Sequence, residues 1–236
     1  RGLFDAAMRR PFRAELPPPG SALVMLDNHT LDALSAQGFG TRWPPPRATF
    51  AALIAGLERA GAARIVLDFI FLEHGEAVEQ DELLGGLAAG LPNVVLARTP
   101  RQMPAFWDEA YVAAHTSLFA NPRVGVVEAT PDRDGVLRRY HVPGSLAAAA
   151  FGAPTTTAGG LLRWHGGLEK IRAANGRVPV ISAARFIIAG LPMITRLAEA
   201  VPDAAPDALA TALRAEASLQ GPGFDEVRGR IVFVGA

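Results

Sequence analysis

The sequence predicts an α/β fold in which a mostly parallel central sheet is flanked by helices. Three observations predict it. Short, continuous apolar runs such as RIVLDFIF (64–71) and RIVFVG (230–235) have the length and residue types of buried strands. Such runs alternate with segments of helical spacing, the order that builds parallel crossover units. Half of the 236 residues are hydrophobic (50%), enough for a core covered on both faces.

The elements follow in order. In residues 3–12, LFDAAMRRPF, the apolar Leu3, Phe4, Ala7 and Met8 fall on one side of a helix with arginines opposite, and Pro11 ends the pattern. The run LPPPG separates this segment from SALVMLD (21–27), an apolar strand that ends on Asp27. Asn28, His29 and Thr30 then offer a polar turn. After the proline-rich RWPPPR, residues 47–60 place Phe50, Leu53, Ile54 and Leu57 on a helical stripe stopped by Gly61. The strand from Arg64 follows, so the two strands and intervening helix are expected to form a right-handed crossover unit with the strands adjacent.

DELLGGLAAGL (81–91) reads as a helix and NVVLA (93–97) as a strand, while residues 103–120 read as helix or helix plus loop. RVGVVEAT (123–130) is a further strand. In PDRDGVLRRYHV the pair Asp134–Gly135 is a favoured two-residue turn, which predicts an added hairpin. LLRWHGG (161–167) is another strand candidate. VPVISAARFIIAG leads through a turn into a helix, with Ser182 placed as its N-cap. Residues 191–223, rich in Pro and Ala and containing DALATALRAEASL, are expected to be a helical elaboration before the closing strand.

Composition excludes several classes of function. There is no cysteine, so disulfides, thiolate metal sites and cysteine nucleophiles are ruled out. Net charge is zero and no basic stripe stands out, which argues against nucleic acid as a partner. No Walker lysine, G-x-S-x-G elbow or glycine fingerprint follows the first strand. The five histidines, His29, His74, His115, His141 and His165, lack metal spacing, and DRDG lacks the remaining ligands of a calcium loop. Trp43, Trp107, Trp164 and Phe106 are expected in the core by default, with an aromatic pocket wall as the alternative.

What stands out is a pair of acids at the strand ends. A carboxylate inside an apolar run is expensive unless it reaches a polar cleft or is tied to a donor. Asp27 and Asp68 are therefore expected near one another at the carboxyl edge of the sheet, where open α/β sheets bind ligands. With Glu73 they offer hard oxygen ligands to a divalent cation; alternatively Arg47 pairs with one of them, or they cap helices. His29 and His74, each just past one acid, are candidates for the same cleft.

The ordered set of motifs resembles the type 2 CHASE domain, a bacterial extracytoplasmic sensory module, over nearly the whole chain. The motifs are a strand ending in Asp27, W-P-x-P-R ending on Pro46 and Arg47, a strand with interior Asp68, D-x-D-G-x-x-R from Asp132 to Arg138, Pro179 and Ser182, and a final G-R-I-V-F-V-G. Where family members carry a second tryptophan in the W-P-W-P-R stretch, this chain has Pro45, and the 191–223 insert is longer than the family pattern.

The resemblance implies one sensory domain over residues 1–236, with residues 1–20 as a juxtamembrane amphipathic segment and linker. It implies an extracytoplasmic position between transmembrane helices, and an unidentified small-molecule ligand whose binding is relayed to a cyclase, kinase or other cytoplasmic output; the family pattern falls on Asp27, Arg47 and Asp68, and the reading of the residues adds His29 and Glu73 to the expected ligand site. No cofactor is specified, and a homodimer is compatible. On this reading both chain ends emerge on one side of the fold, with the apolar side of residues 3–12 covered by membrane or a partner subunit. The rival readings are a metal-assisted hydrolase using Asp27 and Asp68, and a dimerisation or partner-binding module.

Overall fold

A computed structural model describes residues 20–38, 43–114, 123–127, 139–140, 144–152, 160–161, 178–200 and 206–236. Six strands form one all-parallel sheet: β1 (Ser21–Met25), β2 (Arg64–Ile70), β3 (Val94–Arg98), β4 (Val124–Val126), β7 (Val180–Ser182) and β8 (Ile231–Gly235). Two further two-residue strands, β5 (Arg139–Tyr140) and β6 (Gly160–Leu161), pair antiparallel apart from it. The turn at Asp134–Gly135 and residues 3–12 lie outside the described residues, as do His115, His141, Trp164 and His165.

The order across the sheet is β4-β3-β2-β8-β1-β7. This corrects the expectation that β1 and β2 are neighbours. The last strand of the chain inserts between them, with Leu23 opposite Phe233 on one side and Val66 opposite Phe233 on the other. The hydrogen bonds of both inner edges are satisfied by β8, whose apolar IVFVG suits a central position.

Seven helices lie among the described residues: α1 (Asn28–Ala36), α2 (Arg47–Arg59), α3 (Val78–Gly90), α4 (Glu109–Ala114), α5 (Leu146–Phe151), α6 (Ala184–Ala200) and α7 (Pro206–Arg214). One face of the sheet presents Ala22, Val24, Ile65, Leu67, Val232 and Val234 to the main core, where α2 is buried along nearly its whole length. Two glycines let α2 and α6 touch backbone to backbone: a Cβ on Gly56 would collide with the Phe186 carbonyl, and one on Gly190 with that of Ala52. Helix α6 runs straight through residue 191, and Met193, Ile194 and Leu197 are buried in the core. The expected boundary at 191 is therefore no element boundary, and the first turns of that stretch are core.

On the opposite face, α5 covers β2 and β3 through Leu146, Ala149 and Ala150 packed on Val66, Val95 and Ala97. Arg64 reaches back to the carbonyls of Ala149 and Ala150 at 3.0 and 2.7 Å and satisfies the end of this short helix. Trp107 and Phe106 are core as expected; the Trp107 indole donates to the Gly85 carbonyl at 3.1 Å. Trp43 is half exposed (50%) and leans on Phe69 at 6.4 Å.

Candidate functional site

The carboxyl ends of β1, β8 and β7 are laced together by main-chain bonds: Leu26 N–H donates to Gly235 at 2.8 Å and Ala183 N–H to Met25 at 2.8 Å. Asp27 follows immediately and is the N-cap of α1, with Oδ1 accepting from Thr30 N–H at 2.9 Å, the Thr30 hydroxyl at 2.9 Å and the Ser182 hydroxyl at 2.8 Å. Burial pushes the Asp27 carboxyl up, but the Ser182 and Thr30 bonds outweigh it and hold the group below its ordinary value. Thr30 is fully buried at the centre of this knot, and its hydroxyl also lies 3.0 Å from that of Ser182. His29 is exposed, with Nδ1 3.4 Å from Ser182 Oγ.

The expected N-cap role of Ser182 gives way to this one. Its contact with Ala184 N–H is 3.5 Å, whereas the bond to Asp27 is 2.8 Å, so Ser182 mainly ties β7 to β1.

Asp68 lies across β8. The β2–β3 register shifts between Leu67 and Ile70, and the bulge frees Asp68 and Phe69 from regular pairing. Phe69 turns to the main core against Phe50 at 5.1 Å, and Asp68, by alternation, falls on the side of Val66. Asp68 reaches solvent and makes no hydrogen bond or ion pair with the described residues; desolvation by its neighbours pushes its carboxyl up. Because β1 and β2 both pair with β8, Asp27 and Asp68 are separated by two strand spacings, about 10 Å across the sheet. Among the described residues no group of three or more His, Asp or Glu side chains is arranged to hold a metal ion.

Arg47 pairs with neither acid. Its Nε donates to Asp81 Oδ1 at 3.1 Å, its Nη2 donates to the Glu73 carbonyl at 2.6 Å, and its guanidinium lies 4.7 Å from the Phe71 ring centroid. Asp81 is nearly fully buried and also accepts from Gly75 N–H at 2.8 Å, with His74 Nδ1 at 3.0 Å from the same oxygen. The alternative in which Arg47 pairs with a strand acid is thus corrected: the start of α2 lies beside the first turn of α3, and the buried carboxylate there claims the guanidinium. Glu73 contributes its backbone carbonyl to this network, and its side chain is exposed.

The candidates therefore form two groups at one edge of the sheet. Asp27, His29, Thr30 and Ser182 stand on the β1–β7 side; Asp68 and the Arg47–Asp81–His74 network stand on the β2 side, with the end of β8 between them. Neither Thr30 nor Asp81 was among the expected site residues, yet each leaves a signal. Asp27-x-x-Thr30 has the N-cap to N3 spacing, and Asp81 shares a helical face with Leu84 and Ala88.

The CHASE2 domain family model matches residues 1–236, the whole chain. The chain is a CHASE2 domain. CHASE2 domains are extracytoplasmic sensory modules, so this one belongs to signal transduction. No curated protein and no solved structure matches the chain. No helix among the described residues of this CHASE2 domain is long and apolar enough to cross a membrane.

Proposed function

We propose that this CHASE2 domain binds a small polar ligand at the carboxyl edge of its sheet, between the Asp27 and Asp68 sides, within a bacterial transmembrane receptor. Binding is relayed to a cytoplasmic output module such as a cyclase or histidine kinase, and the domain itself performs no chemistry. The observation that carries the reading is Asp68: a partly desolvated carboxylate, open to solvent and without a protein partner among the described residues, raised on a bulge at the edge where open α/β sheets take ligands.

The other residues divide by role. Asp27 is fixed by three donors on one oxygen, so the ligand meets a preorganised anion flanked by His29. Arg47 acts as scaffold, since its bonds to Asp81 and Glu73 hold the loop after β2 in place. Asp27 is poorly suited to general-base chemistry: the Ser182 proton is directed at it, and its lowered proton affinity makes it a weak base.

Ligand binding shifts a receptor only through differential affinity for its two states. The test is output activity of the receptor with Asp68→Asn, His29→Ala and Arg47→Lys introduced singly in stably folded protein. The expected result is a displaced ligand response for Asp68→Asn and His29→Ala. Unaltered responses in all three would remove this edge from sensing.

A further inference from the structure

Alternation places one residue from each of four neighbouring strand ends on the same face at the carboxyl edge of the sheet. Ile181, Leu26, Val234 and Leu67 point into the main core, so Ser182, Asp27, Gly235 and Asp68, one step further along, point to the opposite face, where Val66 and Phe233 already lie. The two acids therefore stand on either side of Gly235. A Cβ on Gly235 would meet nothing within 4 Å, so the strand between the acids offers a floor of bare backbone.

Resting on the function proposed above, we infer that the ligand of this edge is a linear aliphatic diamine, laid across Gly235 with one ammonium group on Asp27 and the other on Asp68. An ionised carboxylate only accepts hydrogen bonds, so two of them select a ligand that donates at both ends. The three protein donors to Asp27 all go to Oδ1, which fixes the group and leaves Oδ2 outside that set of bonds. Arg47 answers neither charge, because its guanidinium is held by Asp81 and the Glu73 carbonyl. A single cation does not bridge the acids, since two strand spacings, about 10 Å, far exceed the reach of two metal–oxygen bonds. Charge-assisted contacts of about 2.8 Å at each end leave at least about 4 Å between the two nitrogens, which suits putrescine or cadaverine better than ethylenediamine.

The test is calorimetric titration of the full chain with putrescine, cadaverine, ethylenediamine and butylamine at fixed ionic strength. Putrescine or cadaverine is expected to bind about tenfold more tightly than butylamine, because the second ammonium group binds as a tethered partner. Asp27→Asn and Asp68→Asn should each reduce the diamine to the butylamine level. Gly235→Leu keeps both acids, and the backbone there lies outside the left-handed region that favours glycine. Its side chain lands on the floor between them, so it should remove the advantage of the diamine while butylamine binds as before.

Equal affinity for butylamine and the diamines would overturn the inference, as would diamine binding unchanged by Gly235→Leu. If no amine binds but another compound binds wild type and not Asp68→Asn, the diamine is wrong and the edge still holds a ligand. A panel in which no compound of any class depends on Asp68 removes the edge itself.

Discussion

The hydroxyl of Ser182 donates to Asp27 Oδ1 at 2.8 Å, joining the carboxyl ends of the neighbouring strands β7 and β1. One oxygen thereby serves as helix cap, strand tie and the fixed anion of the proposed site. Asp27→Ala removes all three bonds and should cost about 1–2 kcal/mol, in the range of a lost N-cap, with Asp27→Asn costing less. Urea unfolding of both variants checks it; equal stability of Asp27→Ala and wild type would show that the cap contributes nothing.

Asp68 should behave in the opposite way. Its charge is partly desolvated and has no partner among the described residues, so Asp68→Asn is expected to leave stability unchanged or raise it at neutral pH. The signs separate further with pH. Asp27 is lowered below 3.8, so its contribution is present above that value and lost as the pH falls through its folded-state pKa. Asp68 is raised above 3.8, so the folded state binds the extra proton and its cost grows as the pH rises from 3.8. The advantage of Asp68→Asn over wild type should therefore vanish below about pH 3.8, where both forms are neutral. Melting curves of both Asn variants from neutral to acid pH read these slopes.

Asp81 should be the costliest carboxylate to remove. Asp81→Ala leaves the Arg47 guanidinium, itself largely buried, without its anion and frees Gly75 N–H, which predicts a loss of about 3–5 kcal/mol. Equilibrium denaturation showing a loss below about 1 kcal/mol would mean that the pair is no better than a surface one.

The α2–α6 contact predicts a backbone effect. Gly190→Ala places a methyl on the Ala52 carbonyl, which neither helix can yield without separating, so a loss of at least about 1–3 kcal/mol is expected. Gly235→Ala is the matched control, since a Cβ there meets nothing within 4 Å.

Much of this was legible in the sequence. Apolar runs gave the strands β1, β2, β3 and β8, and helical stripes gave α2 and α3, because both rest on local periodicity. The place of β8 between β1 and β2 was not legible, since order within a sheet is a long-range property that no local pattern encodes. Gly20 precedes β1 at the amino edge of the sheet and Ala236 follows β8 at its carboxyl edge, while Arg1, on which the expectation for the two chain ends rests, lies outside the described residues. Asp27 and Asp68 stood out because acids interrupt apolar runs; Asp81 did not, because an acid in the first turn of a helix reads as dipole compensation until its burial against Arg47 is seen.

The central claim is that the carboxyl edge binds a ligand through Asp68. The most direct measurement is the melting temperature of wild type, Asp68→Asn and Gly235→Ala across one panel of small polar metabolites and divalent salts. A compound that binds only the folded state must raise the melting temperature. The account predicts that a compound stabilises wild type and loses its effect in Asp68→Asn, a variant at least as stable when empty. Equal stabilisation of wild type and Asp68→Asn by every compound that acts would contradict it.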